Sequence, residues 1–182
     1  RNPSLTAGVQ GLLDERGGLV LGICNGFQAL IKLGLVPFGK ISEPGTETPT
    51  LTFNTIGRHQ SRISRVRVVN NASPWLSKIN EGDVFTVPIS HGEGRITAGE
   101  SEWERLKAAA VTQYVDVAGN PLMDISVNPN GGLFALEGIM SEDGRVLGKM
   151  GHSERISAST YKNVPGEYDM KLFESAAEYF RK

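Results

Sequence analysis

The chain has 182 residues, 39% of them apolar and 21% charged, which is the composition of an ordinary globular domain with enough length for a real core. Lys and Arg total 19 against 20 Asp and Glu, a formal net charge of −1, which excludes nucleic acid or an anionic membrane as the main partner because both select a basic face. The single cysteine, Cys24, rules out an intramolecular disulfide, argues against a cysteine-based zinc site and fits a reducing, cytoplasmic setting. No apolar run approaches the ~20 residues of a membrane span. The opening Arg1-Asn2-Pro3-Ser4 has no signal-peptide pattern, and the sequence reads as a piece whose first elements precede it.

In chain order, Leu5, Val9, Leu12 and Leu13 recur at helical spacing, and Gly17-Gly18 stops that helix. Residues 19–23 form a short continuous apolar run, expected as a strand buried on both faces. Residues 25–33 follow as a helix ending at Gly34. Helix, buried strand, sharp turn, helix is the alternation of an α/β parallel sheet. Residues 51–53, 64–69 and 83–89 read as strands of mixed polarity, residues 100–107 as a short helix, and residues 109–115, 133–139 and 146–150 as further strands. Asn128-Pro-Asn-Gly-Gly132 is turn chemistry. Leu172, Phe173, Ala176, Ala177 and Phe180 are expected as the apolar stripe of a closing helix over 170–181.

Two segments carry chemistry. Gly22-Ile-Cys-Asn-Gly26 has the G-x-nucleophile-x-G form between a strand and a helix. Such an elbow pushes the nucleophile out of the sheet, and glycines at 22 and 26 are expected where side chains would collide. The helix N-terminus beneath Cys24 is expected to favour the thiolate, and the Asn25 N–H to face a developing oxyanion. A small buried cysteine after a core strand is the competing reading. Gly151-His-Ser-Glu154 follows the strand at 146–150. A thiol needs a base and the base needs an acid, so Cys24, His152 and Glu154 form a candidate triad at the carboxyl ends of two strands that must then be close in the sheet. Gln28, one helical turn after Cys24, lies on the same side of the elbow helix. His91 lacks an acid two residues on and is not the expected base. His59 with Arg58, Arg62, Arg65 and Arg67 reads as a solvated strand face, with an interface as a second use.

Gly22-Ile-Cys-Asn-Gly-Phe-Gln-Ala-Leu30, Pro88-Ile-Ser-His-Gly-Glu-Gly-Arg95, Asn128-Pro-Asn-Gly131 and Gly144-Arg-Val-Leu-Gly-Lys-Met-Gly-His-Ser-Glu-Arg155 together resemble the class I glutamine amidotransferases, and within them the glutaminase domain of phosphoribosylformylglycinamidine synthase. The resemblance covers nearly the whole chain. It implies a flavodoxin-like open, mostly parallel sheet with helices on both faces and some antiparallel additions. Residues 1–182 would be one amidotransferase domain without its N-terminal strands and the glycine-rich loop that gives a second oxyanion donor; the expectation is a C-terminal fragment of the large synthase form. It implies glutamine hydrolysis by Cys24, His152 and Glu154, with ammonia delivered for ATP-dependent conversion of formylglycinamide ribonucleotide to its amidine in purine biosynthesis. Asn25, Gln28, Ser90, His91, Gly92 and Glu93 would bind substrate. No cofactor or metal is implied in this domain; ATP and magnesium belong to a partner synthetase domain or subunit. The family commonly has proline where this chain has Gly151 and Ser153, which bears on the stiffness of the His152 loop. A cysteine peptidase or chaperone-like hydrolase of the same fold, and a non-catalytic interaction domain, are the alternatives.

Overall fold

The computed structural model describes residues 2–157 and 159–181. Helix α1 (Pro3–Asp14) is capped by Asn2, whose side chain accepts from the Ser4 and Leu5 amides, with proline at the first helical position. Strand β1 (Val20–Ile23) leads through Cys24 into α2 (Asn25–Leu33), which ends on Gly34 in the left-handed conformation. Phe27, Leu30 and Ile31, at i, i+3 and i+4, are the buried face of α2. A short turn of helix α3 (Leu35–Phe38), β2 (Thr50–Phe53), β3 (Gln60–Val68), β4 (Val84–His91), β5 (Glu93–Thr97), α4 (Trp103–Ala108), β6 (Ala110–Val115), β7 (Leu136–Met140), β8 (Val146–Lys149) and α5 (Leu172–Tyr179) follow.

Six strands form one sheet in the order β1-β8-β7-β6-β3-β4, and β2 with β5 forms a separate antiparallel pair. The expected mostly parallel sheet is corrected here. Only β1 and β8 pair in parallel, and β8–β7, β7–β6, β6–β3 and β3–β4 are antiparallel. The connections explain it. Parallel neighbours need a long crossover, whereas β7 and β8 are joined by only the turn at 141–145, and short links favour antiparallel pairing.

Alternate residues of the strands feed two cores. Val20, Ala110 and Val146 pack with α2 on one face, and Leu21, Val111 and Leu147 with Met170 and Leu172 on the other. Helices thus cover both faces. The closing helix differs from its expected stripe: Leu172 and Ser175 are buried, the Tyr179 hydroxyl donates to the Gly17 carbonyl, and Phe173 and Phe180 stand exposed. The strand expected over 133–139 begins as a 3₁₀ turn (Leu133–Ala135), and the 100–107 helix also starts with one. Strand β5 and helix α3 had no clear sequence signal. No helix among the described residues is long and apolar enough to cross a membrane.

The sheet curls. β1 and β4 are its two edges, yet the Cys24 thiol after β1 is 3.9 Å from the carbonyl oxygen of Ser90 in β4, and the His152 amide after β8 donates to the carbonyl of Pro88 in β4 at 2.9 Å. Right-handed strand twist accumulated over six strands brings these ends together.

Candidate active site

Cys24 has φ 54° and ψ −106°, a conformation that side chains rarely adopt and that a tight strand-to-helix turn imposes. Its amide donates to the Lys149 carbonyl at 2.8 Å, continuing the parallel ladder in which Ile23 pairs with Lys149. A Cβ at Gly22 would lie 2.5 Å from Leu30 Cδ1 and 2.7 Å from the backbone carbon of Gly26, so only glycine fits there. The collision expected at Gly26 is absent: a Cβ there meets nothing within 4 Å. The close approach is made by position 22 on the backbone of position 26.

The expected thiolate-favouring environment is also corrected. Burial pushes the Cys24 thiol above its ordinary range and outweighs the opposing pull of the Asn25 N–H and the Arg155 guanidinium; the Glu154 carboxylate raises it further. A resting thiol therefore needs a base.

His152 is buried and its Nδ1 lies 2.6 Å from Glu154 Oε1. A carboxylate can only accept, so Nδ1 carries the proton of that bond, and Nε2 is buried with no hydrogen-bond partner. Arg155 Nε stands 3.6 Å from the same Glu154 oxygen. Arg155 was not singled out from sequence, although it adjoins the His-x-Glu segment.

Of the other expected residues, Ser90 and Glu93 approach the elbow, through the Cys24 thiol and Gln28. Gln28 Nε2 donates to the Glu93 carbonyl at 2.7 Å, tying the elbow helix to β5. The Ser90 hydroxyl meets His59 Nε2 at 3.1 Å. His91 is buried with both ring nitrogens unpartnered, and burial holds its pKa down at about 4, so it stays neutral. Asn54, missed in the sequence, organises this turn: its buried amide group donates to the His91 carbonyl at 3.0 Å and accepts from the Gly94 amide at 3.1 Å, while its backbone N–H donates to the Gly92 carbonyl. Strand arginines do not form an open basic face. Arg62, Arg65 and Arg67 donate to the carbonyls of Ser126, Val117 and Gly119 and so hold down the loop after β6. Among the described residues no group of three His, Cys, Asp or Glu side chains could hold a metal ion.

The lone thiol follows β1 and the carboxylate-held imidazole follows the neighbouring β8, but the thiol's contact is with the Ser90 carbonyl and His152 Nε2 has no hydrogen-bond partner. The comparisons agree in kind. Residues 1–180 match the model of the CobB/CobQ-like glutamine amidotransferase domain. The chain is 37% identical to the phosphoribosylformylglycinamidine synthase subunit PurQ of Salinibacter ruber over 88% of its own length and 63% of that subunit. It is 33% identical to the PurQ of Methanococcus maripaludis over 91% of its length and 67% of that subunit. It superposes on a solved structure of PurLQS from Thermotoga maritima with a TM-score of 0.70 and 28% identity, covering 97% of this chain and 68% of that one. The chain therefore spans just under two thirds of the Salinibacter relative. With its elbow, its His-x-Glu loop and a family match over nearly every residue, the chain belongs to the CobB/CobQ-like glutamine amidotransferases.

Proposed function

We propose that this chain is the glutamine-hydrolysing part of a phosphoribosylformylglycinamidine synthase, with Cys24, His152 and Glu154 as its triad. The observation that carries the reading is the parallel pairing of β1 with β8, which sets the Cys24 elbow beside the loop bearing an imidazole whose Nε2 is free and whose Nδ1 is held by a carboxylate. Similarity to PurQ subunits supplies the substrate class. Because those relatives are separate subunits, the small form is a closer comparison than the large form expected from sequence.

In the proposed reaction His152 Nε2 takes the Cys24 proton as sulfur attacks the side-chain amide carbon of glutamine. The Asn25 N–H stabilises the oxyanion, and a second donor belongs to the glycine-rich loop that the family resemblance implies. His152 passes its proton to the departing nitrogen, so ammonia leaves and a γ-glutamyl thioester remains. His152 then takes a proton from water, hydroxide equivalent adds to the thioester, and glutamate leaves as the thiol is re-formed. Gln28 and the Ser90–Glu93 turn would hold the substrate's amino-acid end. The balance is glutamine plus water to glutamate plus ammonia, and no cofactor enters it. Ammonia would pass to a synthetase partner in the cytoplasm, where ATP and magnesium act. The likeness to the PurLQS structure from Thermotoga maritima supports a partner of that kind.

The test is Cys24→Ala in the complete enzyme with its synthetase partner. Glutamine-dependent synthesis should fall by about a thousandfold or more, while synthesis from added ammonia persists. Loss of both activities together would make Cys24 a structural residue.

A further inference from the structure

Lys149 and Glu137 are 1% and 0% exposed, the deepest charged pair among the described residues. Neither is used by the reaction proposed above. Burying two charges is costly unless every hydrogen-bonding position is filled and the pair specifies something that an apolar pair would not. Here every position of the ammonium is filled. Lys149 Nζ has three donors and three acceptors: Glu137 Oε1 at 3.0 Å, the Gly151 carbonyl at 2.8 Å and Ser153 Oγ at 3.0 Å. Glu137 Oε1 also accepts from the Gly151 amide, and its Oε2 from the Thr112 hydroxyl. The Ser153 hydroxyl in turn donates to Met170 Sδ at 3.0 Å.

These bonds converge on the residues either side of His152. Gly151 is held through both its N–H and its C=O, Ser153 through its hydroxyl, and the His152 amide through Pro88. The backbone chemistry at 151 is specific to this arrangement. A Cβ there would lie 2.9 Å from Glu137 Oε1 and 2.7 Å from Val87 Cγ2, and proline would also lose the N–H that Glu137 accepts. Glycine at 151 and serine at 153 are thus the residues through which a buried ion pair can grip the loop. An apolar pair at 137 and 149 would fill the space but leave the loop untied.

We infer that Lys149 and Glu137 are positioning residues, whose buried pair fixes the Gly151–Ser153 turn and thereby aims the His152 ring toward Cys24. This rests on the reading of His152 as the base. A base misplaced by about 1 Å loses up to about a hundredfold in rate without losing substrate affinity.

The experiment compares Lys149→Met, Glu137→Gln, Ser153→Ala and His152→Ala in the full-length protein. Competent sites are counted by labelling Cys24 with an electrophilic glutamine analogue, and glutamine hydrolysis is expressed per labelled site. Lys149→Met and Glu137→Gln should lower kcat per site by about 10- to 100-fold with KM within about threefold, and Ser153→Ala should lower it by several-fold. A merely structural pair would reduce the number of competent sites and the melting temperature while leaving kcat per site unchanged, which overturns the inference. Should the two pair variants fail to fold, Ser153→Ala decides, because it removes one acceptor of Lys149 and keeps the ion pair; an unaltered kcat in Ser153→Ala is then the overturning result. Full activity in His152→Ala would sink the base assignment itself. An inactive His152→Ala beside unaltered pair variants would sink the positioning role alone.

Discussion

The Cys24 sulfur and the Ser90 carbonyl oxygen lie 3.9 Å apart although they extend from opposite edge strands of a six-stranded sheet. Two consequences follow from that meeting. The Cys24 thiol meets a strand 66 positions away, and its burial raises its proton affinity. The turn beyond Ser90 is also tied to the elbow helix, through the Gln28 side chain on the Glu93 carbonyl.

The His152–Glu154 contact at 2.6 Å sets the first prediction. Glu154→Gln retains a hydrogen-bonding group of the same size but removes the charge that stabilises an imidazolium and fixes the tautomer. Glutamine hydrolysis by the full-length protein should fall by about 10²- to 10⁴-fold in kcat with KM little changed. Steady-state kinetics check it, and a kcat within about threefold of the parent would dismiss Glu154 as the orienting acid.

Stability should depend on pH through His91. Its folded pKa is held at about 4 by burial, below the ordinary 6.5. The unfolded chain therefore binds the proton more readily between those values, and the neutral imidazole stabilises the fold fully above about 6.5. That contribution is lost as pH falls from about 6.5 to about 4, and amounts to at most about 3 kcal/mol. Urea midpoints measured from pH 8 to pH 4 should fall more steeply in the parent than in His91→Gln. Parallel curves would mean that His91 is free to charge in the folded protein.

The elbow predicts a contrast between its two glycines. Gly22→Ala places a carbon 2.5 Å from Leu30 Cδ1 and 2.7 Å from the Gly26 backbone, and should cost about 1–3 kcal/mol. Gly26→Ala meets nothing within 4 Å and lies inside α2, so it should be neutral or stabilising by up to about 1 kcal/mol. Denaturant unfolding of both variants tests the pair, and equal losses would contradict the packing described for the elbow.

Much of the candidate site is legible in the sequence. The Gly22–Gly26 elbow and the His152–Glu154 loop announce themselves because a candidate nucleophile, base and acid need fixed residue types at short, fixed spacing. Gly34 likewise ends α2 where glycine chemistry says it should. The closing helix was read less well. Leu172 and Ala176 of the expected stripe pack inward, but Phe173, Ala177 and Phe180 are exposed, and the buried face takes in polar Ser175, whose hydroxyl accepts from the Lys78 amide. Lys149 and Glu137 had a signal that went unused. Each is a charge set in an apolar strand, which is the mark of a buried pair, but nothing in one strand names its partner on another.

Local chemistry therefore determined the elbow, the helix stops and the residue types of the candidate triad, since each depends on atoms a few bonds apart along the chain. Sheet order, the predominance of antiparallel pairing and the curl that joins β1 to β4 were decided only by the tertiary structure. Those features depend on which distant strands bury each other's apolar faces and satisfy each other's backbone groups, a choice settled by the free energy of the whole packed chain and written in no single segment of it.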